Sequence, residues 1–206
     1  VIVGSGIAAE TLTADPGLQL FTHAVAVGLG LGALIAMLQT VSGSHFNPSV
    51  TLAFWRTRFI DVGETAWYIA AQFLGALVGV VAANFSFDMK AVSISTTTRD
   101  GLGLALAEAM ATFVLVLVIL ALARNGRTVA IPIAVGAWVA AAVYATSSTG
   151  FANPAVTIAR IFTDTFAGIA PPSVPAFLLA QVAAGFAAAG VATLLYPEPI
   201  RQNAHA

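Results

Sequence analysis

The stretch "HFNPSVTLAF" occupies residues 45–54, and "FANPAVTIAR" occupies residues 151–160. Each sets an Asn-Pro pair in otherwise apolar sequence. Asn is a strong helix N-cap, and Pro suits the first helical position. Asn47-Pro48-Ser49 and Asn153-Pro154-Ala155 therefore read as helix starts, followed by short apolar helices over 49–55 and 155–162. At ~1.5 Å per residue each covers roughly 10–14 Å, about half of a ~30 Å hydrocarbon core. Gly43 and Gly150 loosen the chain ahead of each cap. The reading is of two loops that dip into a membrane and return as half-helices. Irregular backbone at that depth survives only where it is buried in protein or lines a watery cavity.

The bulk composition agrees with a lipid solvent. The chain has 206 residues, of which 59% are hydrophobic and only 8% charged, and its mean hydropathy is +0.92. Soluble domains carry about 25% charged residues. A net charge of −1 gives no sign of nucleic-acid binding. With no cysteine, disulfides, thiolate metal sites and thiol nucleophiles are excluded. Apolar spans are expected over 21–41, 62–83, 102–123, 129–144 and 174–196. Residues 1–12 make only half a span, so a first span truncated at its start is expected, six in all once it is restored. No basic region opens the chain, so a secretory signal is not expected there. The Lys/Arg bias places Arg56, Arg58, Arg124, Arg127 and Arg201 inside and Lys90, Arg99 and Arg160 outside, with both termini cytoplasmic.

The two boxes align at an offset of 106 residues, and "FNPSVTLA" (46–53) shares Asn, Pro, Val, Thr and Ala with "ANPAVTIA" (152–159). "AQFLG" from Ala71 and "AQVAA" from Ala180 continue the match. The chain thus reads as one transmembrane domain over 1–206, built from two copies, about 1–90 and 101–200. Three spans per copy make the second copy inverted, the organisation of membrane transport folds. The half-helices then meet N-terminus to N-terminus, and their positive ends and two Asn amides converge on one spot. Such a device passes small neutral solutes and rejects cations.

With those residues in view, the chain resembles the aquaporin and aquaglyceroporin (major intrinsic protein) family. "SGSHFNPSVTLA", "NPAVTIAR", Gln72 and Gln181 in the third span of each copy, and Glu108 carry the resemblance. It implies an all-α membrane bundle of six spans and two re-entrant half-helices, one pore per subunit, a homotetramer, no cofactor, and passive transport of water, glycerol or similar solutes. Three departures stand out. The first box has Ser49 for Ala. The start of the first span is missing, with the Glu that would match Glu108. Val156 occupies the position where the family's water and glycerol channels place an Arg. The remaining filter positions carry over by spacing to Val27, to Gly150 in the loop, and in the fifth span to either Ala141 (a gapless count) or Val139 (aligning the Thr that starts the loop). All are small and apolar, which implies a wide filter. Val in the Arg position is similar to a bacterial subgroup associated with arsenic resistance. That likeness implies a bacterial inner membrane and arsenous acid among the solutes.

Other residues carry two readings each. Arg160 lies four residues beyond Val156, on nearly the same helix face and ~6 Å further out. It either guards the outer mouth or is an interfacial Arg paired with Asp164 or snorkelling to headgroups. Glu108, the one acidic residue well inside a span, is either a proton relay or an anchor for a re-entrant loop. His45 either gates the cytoplasmic mouth or packs the loop. His23, near the outer end of its span, and His205, in the tail, suggest no metal site. A secondary transporter would need more ionisable residues in its spans, and no metal cluster, Ser–His pair or carboxylate dyad points to an enzyme. An ordinary water-selective channel and a closed structural junction protein remain as alternatives.

Overall fold

The computed structural model describes residues 1–196; Arg201 and His205 lie outside the described residues. The helices are α1 (Ile2–Leu12), α2 (Pro16–Ser42), α3 (Pro48–Arg56), α4 (Val62–Ser86), α5 (Leu102–Arg124), α6 (Ile131–Ala145), α7 (Pro154–Ala159) and α8 (Val174–Leu195). Among the described residues, five helical segments are long and apolar enough to cross a membrane, and α1 is a shorter apolar helix of 11 residues. This is an all-helical membrane bundle, as the sequence implies.

Local chemistry explains most boundaries. Asp15 caps α2 by accepting from Leu18 N–H, and Pro16 occupies the first helical turn, so this span starts at 16 rather than 21. Asp61 and Glu64 form a reciprocal capping box at the start of α4. Gly43, at φ 67°, ends α2 in the left-handed conformation. The second half-helix does not run unbroken to 162. It turns 3-10 over Arg160–Phe162, because the carbonyls of Arg160, Ile161 and Phe162 accept from Ile169, Ser95 and Ser93 N–H instead of continuing the α ladder.

The two half-helices fill the centre. α3 packs against α4 and α8, and α7 against the same two helices. Val50 and Ala53 of α3 join Ala111, Leu115 and Ile119 of α5 and Ala188, Ala189 and Ala192 of α8 in the largest core cluster. Small residues permit this approach, since in lipid close packing rather than water exclusion drives helix association. α2 crosses α6 closely: a Cβ added at Gly28 would sit 2.6 Å from the carbonyl oxygen of Gly136. The long loop between α4 and α5 lies across the 160–170 segment, with Ser95 N–H on Ile161 O and Ala170 N–H on Thr97 O.

Candidate functional site

Each box Asn caps its own half-helix and reaches across to the opposite loop. Asn47 Oδ1 accepts from Ser49 N–H, and its Nδ2 donates to Ala152 O at 2.6 Å. Asn153 Oδ1 accepts from Ala155 and Val156 N–H, and its Nδ2 donates to Phe46 O at 2.8 Å. The pairing is reciprocal, so the two N-termini are tied together at one level. One hydrogen of each amide is thereby committed to the scaffold, leaving one per amide for a solute. Phe46 and Ala152, whose carbonyls accept these bonds, stand at φ 49° and 48°, in the left-handed region. Non-glycine residues there cost of order 1–3 kcal/mol. The two loops share this pattern at the same offset as the boxes, since Gly43 and Thr149 (67° and 60°) and Ser44 and Gly150 (51° and 53°) also match.

Buried polar side chains hold the loops in that shape. Glu108 is fully buried; Oε1 accepts from Phe151 N–H at 2.8 Å, and Oε2 accepts from Ala152 N–H at 2.8 Å and Gln181 Nε2 at 2.6 Å. Every partner donates, so the carboxylate is an acceptor-only brace. Gln181 also donates to Thr157 Oγ1 on α7, and its carbonyl accepts from Ser49 Oγ on α3. Gln72 donates to Thr51 Oγ1 on α3. His45 sits between the rings of Phe54 and Tyr68, with centroids 4.5 and 4.9 Å away, and its Nδ1 meets Thr51 Oγ1 at 3.2 Å. His45 also lines the cavity beside the boxes.

A cavity of about 700 Å³ passes the two boxes, and part of it lies beside Val1 and Ile2. Asn47, Asn153, Val27, Val139, Gly150 and Val156 line it. Of the two sequence-derived positions on α6, Val139 faces the cavity. Ala141 is exposed on the outward side, two residues and thus about 200° around the helix from Val139 at ~3.6 residues per turn. The gapless count is corrected accordingly: it ignores the different length of the loop before Asn153. Val143, one turn beyond Val139, also lines the cavity.

Two polar residues, Arg160 and His23, join this apolar wall. Arg160 is 4% exposed; its Nε donates to Ala167 O, and its guanidinium carbon lies 3.3 Å from the centroid of the Phe151 ring. The interfacial reading of Arg160 is therefore corrected, since Asp164 instead accepts from Thr96 N–H and Oγ. Arg99, from the α4–α5 loop, stands 5.1 Å from the same ring and donates to Gly168 O and Phe166 O. Burial lowers the pKa of Arg99 from its ordinary value, and the Glu108 carboxylate opposes that shift. His23, which the sequence reading set aside, is 3% exposed, lines the cavity, and meets the Phe166 ring edge-to-face at 5.7 Å. The signal that could have found it is spacing: His23 precedes Val27 by one helical turn, as Arg160 follows Val156 by one.

A family model described as major intrinsic protein matches residues 1–152 and again residues 105–206. The chain belongs to the major intrinsic protein family. Among similar proteins, Aquaglyceroporin AqpS of Rhizobium meliloti (strain 1021) is 42% identical over 181 residues, covering 88% of this chain and 77% of that relative. Aquaporin-2 of Rattus norvegicus is 40% identical over 79 residues, 38% of this chain and 28% of that relative. Aquaporin-4 of Bos taurus is 42% identical over 52 residues, 25% of this chain and 16% of that relative. Major intrinsic proteins are passive channels rather than enzymes, and this member is a multi-pass membrane channel for small solutes.

Proposed function

We propose that the chain conducts small neutral polyhydroxylated solutes (glycerol-like polyols, arsenous acid and related metalloids) together with water, and excludes cations. The observation that carries the reading is the pair of cavity-lining amides, Asn47 and Asn153, each with one N–H left to offer, beside a wall of Val27, Val139 and Val156. A neutral hydroxyl accepts from those amides. A cation meets two helix N-termini of the wrong sign, and further out the Arg160 guanidinium. Valine in place of arginine at 156 removes a fixed charge and its donors from the inner wall, which favours solutes larger than water. The aquaglyceroporin name of the Rhizobium meliloti relative agrees with this substrate class. The inverted repeat, a homotetramer, a bacterial inner membrane and cytoplasmic termini complete the proposal. The side placement of Arg56, Arg58, Arg124 and Arg127 against Lys90, Arg99 and Arg160 supports the orientation.

The second reading, a water-selective channel, draws on Arg160 and His23 in the outer wall. Stopped-flow light scattering on proteoliposomes separates the two. Glycerol and arsenous acid entry well above that of empty liposomes is expected; rapid water flow with neither solute entering would establish the water-selective reading instead. Solute flux that depended on an imposed ion gradient would point to a transporter.

A further inference from the structure

The outer wall of the cavity holds two polar side chains that the amide pair leaves unused. α2 runs inward from Pro16, so His23 lies one turn outside Val27; α7 runs outward from Asn153, so Arg160 lies one turn outside Val156. Both are therefore displaced about 6 Å outward from the valine wall. Adjacent residues of one segment seat them, because Phe166 packs on the His23 ring and Ala167 O accepts from Arg160 Nε. That segment is itself pinned: Phe166 N–H donates to Glu10 Oε2, and Arg99 donates to the carbonyls of Phe166 and Gly168.

The hydrogen bonds also give each side chain a polarity. Ser5 Oγ lies 3.1 Å from Ile2 O and 2.8 Å from His23 Nδ1. A serine hydroxyl has one hydrogen. In the tautomer that leaves that hydrogen on Ile2 O, Ser5 Oγ accepts from His23 Nδ1–H, and Nε2 of the imidazole is left as an acceptor. Among the described residues, Nε2 makes no hydrogen bond, and neither do the terminal amino groups of Arg160. An acceptor and a cluster of donors thus border the same cavity. The Phe151 ring beneath Arg160 and the Phe166 ring against His23 limit their alternative rotamers.

We propose that His23 and Arg160 form a hydroxyl-reading constriction one helical turn outside the valine wall. His23 Nε2 accepts the hydrogen of a solute hydroxyl, and the terminal amino groups of Arg160 donate to that solute's oxygens. The inner valines then set clearance, and the outer pair sets preference among solutes of similar size. A solute lacking one hydroxyl leaves one of these groups unpaired during passage, which is where discrimination arises. The proposal rests on the channel reading above and adds the residues that would choose among its solutes.

The test compares glycerol with 1,2-propanediol, which lacks one hydroxyl, by stopped-flow light scattering on proteoliposomes after subtracting empty-liposome rates. His23→Phe keeps the ring contact with Phe166 and removes the acceptor; Arg160→Lys keeps the charge and removes the fork of donors. Each should lower the glycerol-to-propanediol permeability ratio about three- to tenfold, the worth of one hydrogen bond. The double variant should fall little further than the larger single effect, because both groups act on one solute. Ser5→Ala, which releases the imidazole, should lower the ratio by a smaller factor. Folding is checked by monodisperse elution in detergent, and if Arg160→Lys fails that check, His23→Phe and Ser5→Ala decide. Unchanged ratios in folded variants with wild-type flux intact would overturn the proposal alone. Wild-type vesicles no more permeable than empty ones would overturn the channel reading and this inference with it.

Discussion

Glu108→Ala tests how the second loop is held. The carboxylate accepts from Phe151 N–H, Ala152 N–H and Gln181 Nε2, all within 2.8 Å and fully buried. A hydrogen bond to a charged group contributes about 1.5–3 kcal/mol, and each buried donor left without a partner costs about 1–3 kcal/mol. The three bonds share one group and are not additive, so a loss of about 4 kcal/mol is expected rather than the full sum. For a domain of this length about 1 kcal/mol corresponds to roughly 2–4 °C, which makes the expected fall in thermal midpoint about 8–16 °C. Glu108→Gln keeps the shape but turns an NH2 group toward one of the three donors, so about half that loss is expected. Intrinsic tryptophan fluorescence of the detergent-solubilised protein reads the midpoint, and stopped-flow water permeability reads the pore. A Glu108→Ala midpoint within about 2 °C of wild type with unchanged flux would refute the bracing argument. Solute flux driven by a proton gradient in the wild type, and abolished in Glu108→Gln, would instead make this residue a relay.

Three further outcomes follow from the geometry. Val156→Arg puts a guanidinium on the cavity wall one turn below Arg160 and should depress glycerol flux more than water flux in the same proteoliposomes; equal or increased glycerol flux would contradict the placement of Val156 on that wall. Gly28→Ala forces a methyl to within 2.6 Å of Gly136 O and should cost at least about 1–3 kcal/mol of stability, read as a lowered thermal midpoint, whereas Gly190→Ala, where a Cβ meets nothing within 4 Å, should be near neutral. Asn153→Ala loses its cap bonds from Ala155 and Val156 and its donation to Phe46 O, with an expected cost of about 2 kcal/mol in detergent unfolding. Asn153→Asp keeps the cap acceptor and loses only the donation, so it should be the less stable of the two only if the carboxylate's repulsion from Phe46 O outweighs the cap.

The sequence by itself determined the features that depend on neighbours in the chain. Asn caps, a following proline and an apolar run of limited length specify a half-helix locally, so α3 and α7 were legible to within a residue at their starts. The five long spans were legible because lipid demands a minimum run of apolar residues. The 3-10 ending of the second half-helix was not, since it depends on Ser93, Ser95 and Ile169 taking the carbonyls of the 160–162 segment. Nor was the rotation of the helices. In water, polar and apolar faces reveal which side of a helix points inward. In a membrane, lipid and protein core are both apolar, so Val139 and Ala141 look equivalent until the packing of α6 against α2 turns one toward the cavity and the other away. For the same reason Arg160 was readable as an edge residue and His23 as incidental. Only the tertiary structure, which folds Phe151, Phe166 and Ala167 around them, decided that both border the cavity.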